Sequence, residues 1–203
     1  MGYASWVEPN KTSGSGNDTV SWSGSAHTGR SARQTTATFS ASGVSPSPVL
    51  TIIQAGKTEF VDMSDTATVA KTGGTVTISG TSNSSKLTFS LTGTNGIGLT
   101  LPSAYTANSV STSNGAAISG DPGATQQYSF SISFTSIGAN TGVTELTSQL
   151  TVTDNAGNTD TCTITQAAGD ATLSISPTTI NLTAAGVADN SVTVTSNTSW
   201  SIS

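Results

Sequence analysis

Apolar residues alternate with serine or threonine in run after run of this chain: Leu87-Thr88-Phe89-Ser90-Leu91, Tyr128-Ser129-Phe130-Ser131-Ile132-Ser133-Phe134, Cys162-Thr163-Ile164 and Ser191-Val192-Thr193-Val194-Thr195. A period of two gives a strand one buried face and one wet face, and no convincing stretch shows the 3.6-residue period of a helix. Between the runs lie Ser13-Gly14-Ser15-Gly16-Asn17, Gly73-Gly74, Asp121-Pro122-Gly123 and Asn155-Ala156-Gly157-Asn158, whose residue types suit tight turns. Many short strands with frequent turns predict an all-β protein built from antiparallel β-sandwich units. With 203 residues there is room for one or two domains of about 100 residues each.

The chain also repeats itself. Ala26-His27-Thr28-Gly29 returns 113 residues later as Ala139-Asn140-Thr141-Gly142, and Ile52-Ile53-Gln54-Ala55 returns 112 residues later as Ile164-Thr165-Gln166-Ala167. A second series follows. Val61 and Met63 match Leu173 and Ile175, Gly73 matches Gly186, and Thr81-Ser82-Asn83 matches Thr195-Ser196-Asn197. The repeat predicts one complete sandwich over residues 58–169, with a polar loop inserted near 102–123. Residues 1–57 read as the back part of a second sandwich and residues 170–203 as its front part, so the chain is expected to begin and end in mid-unit. Short strand sets with one apolar face are unstable alone, so the two parts should be completed. Either 170–203 folds back onto 1–57 of the same chain, or it completes a neighbouring subunit. The short linkers Gly56-Lys57-Thr58 and Gly169-Asp170 tilt the expectation towards exchange between subunits. The complementation interface would use Trp6, Trp22, Leu173, Ile175, Ile180, Leu182, Val192, Val194 and Trp200.

This set of motifs resembles the BACON family, immunoglobulin-like modules abundant in Bacteroidetes proteins and in the crAss-like phages that infect them. The resemblance rests on Leu173-Ser174-Ile175-Ser176-Pro177, on Ser191 to Trp200, on Ser13 to Asn17, on Asn140-Thr141-Gly142 and on the closing Ile-x-Gln-Ala strands. It covers nearly the whole chain when the two parts are counted as one module. The middle unit departs from the pattern, because no tryptophan follows Asn83 and Leu87 is the nearest apolar substitute. The resemblance implies an immunoglobulin-like sandwich and two alternative roles, a virion surface module or a carbohydrate-binding module.

Composition narrows the chemistry. Charged residues are 8% of the chain, against roughly 25% in an average domain, and Lys plus Arg number six with a formal charge of −5. Nucleic-acid affinity comes from basic contacts to phosphates, so no nucleic acid is expected as a partner. No run approaches the roughly 20 apolar residues of a membrane helix, so no membrane span is expected. No basic segment followed by an apolar one marks the first residues, so no signal peptide is expected, and the phage resemblance then implies synthesis in the host cytoplasm. Cys162 is the only cysteine and His27 the only histidine, which excludes an intramolecular disulfide and most zinc sites.

A nucleophile needs a base within hydrogen-bond reach. His27 sits in a turn-like Ala-x-Thr-Gly, and Cys162 belongs to an inward-facing series, so neither reads as catalytic. Glu8, Glu59 and Glu145 lack the context of a paired-carboxylate glycosidase. Asp154 to Asp160 fails the spacing of a calcium-binding EF-hand loop and reads as a hairpin loop. Trp6, Trp22 and Trp200 could stack on sugars, but alternation with Val20 points Trp22 inward, and the core or the junction between parts suits the other two. The expectation is therefore a protein with no catalytic residues, no cofactor and no metal. Taken with the resemblance, which implies a virion surface module, this makes the expected role that of an auxiliary or decoration protein on the capsid surface of a crAss-like phage virion, partnered by its own copies or a major capsid protein. The alternative is a module that binds host surface glycans or accompanies a glycan-degrading enzyme.

Overall fold

The alternating runs form strands. The structure, a computed structural model, describes residues 2–93, 96–186 and 191–203. Its described elements are fifteen strands and one short 3-10 turn, in three regions. The first region holds two antiparallel pairs, β1 (Val7–Pro9) with β2 (Trp22–Gly24) and β3 (Arg33–Thr38) with β4 (Val49–Gln54). Polar bonds tie the two pairs together: Gln54 Nε2 and Arg33 Nη2 each donate to the Ser25 carbonyl at 2.9 Å, and the Ala4 N–H donates to Thr35 Oγ1 at 2.9 Å.

The middle region contains β5 (Val61–Met63), β6 (Thr66–Val69), β7 (Gly74–Ser82), β8 (Leu87–Thr92), β9 (Ala104–Ala107), β10 (Val110–Ser113), β11 (Tyr128–Ile137), β12 (Leu146–Asp154) and β13 (Thr159–Gln166). They make one sheet in the order β10-β9-β11-β7-β5 and another in the order β6-β13-β12-β8, with only β6 and β13 parallel. The apolar members of each alternating run meet between the sheets. Ile78, Phe130, Ile132 and Phe134 come from one side and Leu87, Phe89, Leu150, Val152, Cys162 and Ile164 from the other. Phe89 bridges them, with its ring 4.9 Å from Tyr105 and 5.8 Å from Phe130. Leu87, the substitute for the missing tryptophan, is fully buried. Each side chain taken out of water in this way contributes about 1.5–3 kcal/mol.

The segment expected to be a polar loop differs from that reading. It contributes the β9–β10 hairpin, and Tyr105, Ala107 and Ile118 enter the core. Its turn is Asn108-Ser109, both at positive φ (48° and 64°), which asparagine tolerates without the glycine that normally announces such a hairpin. The insertion then closes with the 3-10 turn Pro122–Ala124.

The third region is a single antiparallel pair, β14 (Leu173–Ser176) with β15 (Thr193–Ser196). It reproduces the middle unit. Leu173 lies opposite Ser196 and Ile175 opposite Val194, as Val61 lies opposite Ser82 and Met63 opposite Gly80. The turn is also reproduced: the Gly73 N–H donates to the Ala70 carbonyl and the Gly186 N–H to the Thr183 carbonyl, both at 2.9 Å, with the glycines at φ 78° and 74°. Those positive angles favour glycine, which is why the motif is visible in sequence.

Candidate functional site

The middle region has one closed core, and the regions on either side have open faces. Between β1–β2 and β3–β4 runs a groove of about 590 Å³ lined by Tyr3, Pro9, Val20, Trp22, Ala37 and Phe39 among others. Trp22 points into it and meets the Tyr3 ring edge-on, with centroids 5.3 Å apart. In the middle unit the counterpart space is filled by β7, which lies beside β11. The position of Trp22 corresponds to Phe134, once the one-residue bulge between Phe134 and Ile137 is allowed for. In the third region the apolar face lies open to solvent. Leu173 is 61% exposed, Leu182 66% and Trp200 50%; Ile175 and Ile180 are also exposed, and Val192 and Val194 are half-buried. Trp6 lies elsewhere, half-buried under the Arg33 guanidinium, which sits 4.5 Å above its ring. The structure thus gathers Trp22 into the groove of the first region and Leu173, Ile175 and Val194 onto one hairpin, and among the described residues no strand pairing joins the two groups.

The regions are joined by the same device twice. Asn83 Nδ2 donates to the carbonyls of Thr28 (3.2 Å), Lys57 (3.3 Å) and Thr58 (3.2 Å), while its Oδ1 accepts from the Phe60 N–H at 3.0 Å. Asn197 Nδ2 donates to the carbonyls of Thr141 (2.9 Å) and Asp170 (2.8 Å), and its Oδ1 accepts from the Thr172 N–H at 2.8 Å. Ser82 Oγ donates to the Phe60 carbonyl, as Ser196 Oγ does to that of Thr172. The Lys57 N–H bonds the Gly29 carbonyl at 2.9 Å, and the Gly169 N–H bonds that of Gly142 at 2.7 Å. Each unit thereby grips the Thr-Gly turn of the unit before it. The first joint adds Arg30, whose guanidinium bonds the Asp121 carboxylate and donates to the Asn83 carbonyl at 2.9 Å, with Glu59 3.7 Å away. The Asp121 hydrogen bond holds the Arg30 guanidinium above its ordinary pKa. There is no room to spare: a Cβ on Gly123 would overlap the Asn83 carbonyl.

His27, Cys162, Asp154 and Glu59, all weighed for chemistry, are held in local structural roles. His27 Nε2 lies 2.7 Å from the Ser31 carbonyl, just as Asn140 Nδ2 donates to the Thr144 carbonyl at 2.8 Å, so both pin the same turn. Cys162 is fully buried, and desolvation, reinforced by the charges of Asp160 and Asp65, pushes its thiol up from 9.0 to about 11, the opposite of an activated thiolate. Asp154 spends its carboxylate on the Ala156 and Asn158 N–H groups at 2.9 and 2.8 Å and on Asn158 Nδ2 at 2.7 Å, inside the β12–β13 hairpin loop. Glu59 accepts from Ser84 Oγ at 2.9 Å.

Sequence reasoning missed the pairing of Arg30 with Asp121, because they meet across 91 residues and Asp121 reads in sequence only as part of the Asp121-Pro122-Gly123 turn. It matched the Thr-Ser-Asn strings but assigned them no task, although the repetition of an asparagine at the same place in both series was the signal. It read Val20 and Phe39 only as periodic positions and did not place them in the interface, although both line the groove of the first region. The chain matches no protein-family model, and no curated protein is significantly similar to it.

Proposed function

We propose that the chain is a non-enzymatic structural protein whose copies assemble by strand complementation, acting as an auxiliary or decoration protein on a phage capsid. The observation that carries the assembly is the pair of open apolar faces, a groove on the first region and an exposed hairpin on the third, whose counterparts pack together inside the middle unit. Exposed apolar faces of this kind mark interaction surfaces. The virion assignment is supported by the resemblance of the repeat to the immunoglobulin-like modules of crAss-like phages. Its partners would be other copies of itself and a major capsid protein. Light scattering of the purified protein over a range of concentrations should give masses above the monomer, and mass spectrometry of purified particles should detect the chain. A monomer at every concentration, with no chain in the particles, overturns this function.

The half-exposed Trp200 is the observation that favours the carbohydrate-binding reading, since an open indole can stack on a pyranose ring. Glycan-array binding lost in Trp200→Ala would support that reading; its absence together with self-association supports the structural one.

A further inference from the structure

The middle unit supplies a template for how the two open faces meet, and the template fixes a register. On β11 the core-facing residues Phe130, Ile132 and Phe134 pair with Gly80, Ile78 and Val76 of β7, while the outward-facing Ser133 and Ser131 lie opposite Thr77 and Ser79. Thr77 Oγ1 and Ser133 Oγ are 2.8 Å apart. The backbone of the outward-facing residues points the other way, since the Ser129 carbonyl accepts from Asn108 beyond β9. The first region repeats this arrangement. The Ser21 carbonyl accepts from the Asn10 N–H on the β1 side, which turns the main-chain groups of Val20 and Trp22 towards the edge away from β1. In the third region, Ser196 and Val194 stand where Ser82 and Gly80 stand, and Ser191 stands where Thr77 stands.

We propose that the C-terminal segment of one copy completes the N-terminal half-unit of a second copy in this one register. Ser191 then lies opposite Ser21 and Thr193 opposite Thr19, with Val192 facing Val20 over the groove. On the other sheet, residues 179–182 run parallel to β4 as β6 runs parallel to β13, which brings Ile180 beside Ile52 and Leu182 beside Gln54. The proposal rests on the assembly described above and adds the partner and the alignment. The partner is a second copy because the two open regions are held at opposite ends of the middle unit. Asn83 fixes the first region at the Ser82 end of β7, and Asn197 and the Lys71–Asp170 ion pair fix the third near its Gly74 end. A nine-residue strand, roughly 26 Å, separates them. The contact is head-to-tail, so it builds rings or open chains.

The test uses full-length protein with Ser21→Cys and Ser191→Cys, which replace small outward-facing hydroxyls at a close, non-hydrogen-bonded cross-strand pair suited to a disulfide. The buried Cys162 stays out of reach of oxidant. Mild oxidation should yield a reducible ladder of cross-linked multimers. A mixture of the two single variants should stop at dimers. Ser21→Cys with Thr195→Cys, four residues out of register on the same face, should cross-link at least about tenfold less. Equal cross-linking by that control, or no cross-link in protein that light scattering still shows as multimers, overturns the register and leaves the assembly standing. A fast-migrating cross-linked monomer, with no dimer from the mixture, overturns the second copy as partner. A monomer at all concentrations with no cross-link overturns both.

Discussion

Residues 58–169 and the regions that flank them are written in the same alternating code, yet Leu150 is fully buried and Leu182 is 66% exposed. Local sequence does not explain the difference. β14 and β15 adopt the register of β5 and β7, and the Gly186 N–H bonds the carbonyl three residues back as the Gly73 N–H does. What differs is the company each strand keeps. β7 lies between β11 and β5 and against a second sheet, whereas among the described residues β15 pairs only with β14. Strand formation here is a local property and burial a collective one, so a segment can take the shape of a packed strand with its apolar face uncovered.

The comparison breaks most completely if residues 170–203 are deleted. Self-association should disappear and amide exchange across β1–β4 should speed up, while the middle unit keeps its own thermal transition. A deletion variant with the full-length mass and exchange pattern would show that the two faces are unrelated. Next in size, Leu150→Ala should destabilise the middle unit by about 2–5 kcal/mol in denaturant melts. Leu182→Ala should leave the melt of dilute protein within about 0.5 kcal/mol but weaken association at high concentration. A third test concerns the joints. Asn83→Ala strands buried carbonyls and should cost about 1–3 kcal/mol. Asn197→Ala, at a more open joint, should cost less, and a larger loss at Asn197 would reverse the ranking of the two.

The smallest effect separates closed from open regions by pH. The buried Cys162 keeps its proton up to about pH 11 in the folded state, while the unfolded chain releases it near the ordinary thiol value. The folded state therefore binds more protons than the unfolded one between those values, and stability falls as pH rises through that window. The contribution is fully present below about pH 9. Burial raises the phenols of Tyr105 and Tyr128 in the same direction, extending the decline to higher pH. Cys162→Ala should flatten the first part of the slope in thermal melts of the middle unit. The β1–β4 region holds no such thiol, so its exchange rates, corrected for intrinsic chemistry, should not follow the same curve.

Most of the strands were legible because their alternation is uninterrupted and their turns carry glycine, as at Gly73 and Gly186. The β9–β10 hairpin was hidden because Asn108-Ser109 makes the turn without glycine. The apolar half of the candidate site could be read from Leu173, Ile175 and Val194, whose periodicity marks a face regardless of what covers it. The joints could not. Arg30 gains meaning only beside Asp121, and proximity across that sequence distance is a product of the fold. Asn83 and Asn197 were visible as a repeat, but an asparagine that satisfies carbonyls of a neighbouring unit looks in sequence like any turn residue.

The joints also set the mechanics of the molecule. A linker of a few residues would ordinarily act as a swivel, letting neighbouring units tumble independently. Here the Asn83 side chain, the Lys57 N–H and the Arg30 guanidinium clamp the first joint to three separate points of the preceding turn and the insertion, and the Asn197 set repeats part of that clamp at the second. Bending either joint requires several bonds to lengthen at once, so a torque applied at one end of the chain is transmitted as a rotation of the whole. The described regions are therefore coupled as a stiff beam, with the rotation from one region to the next set by these bonds.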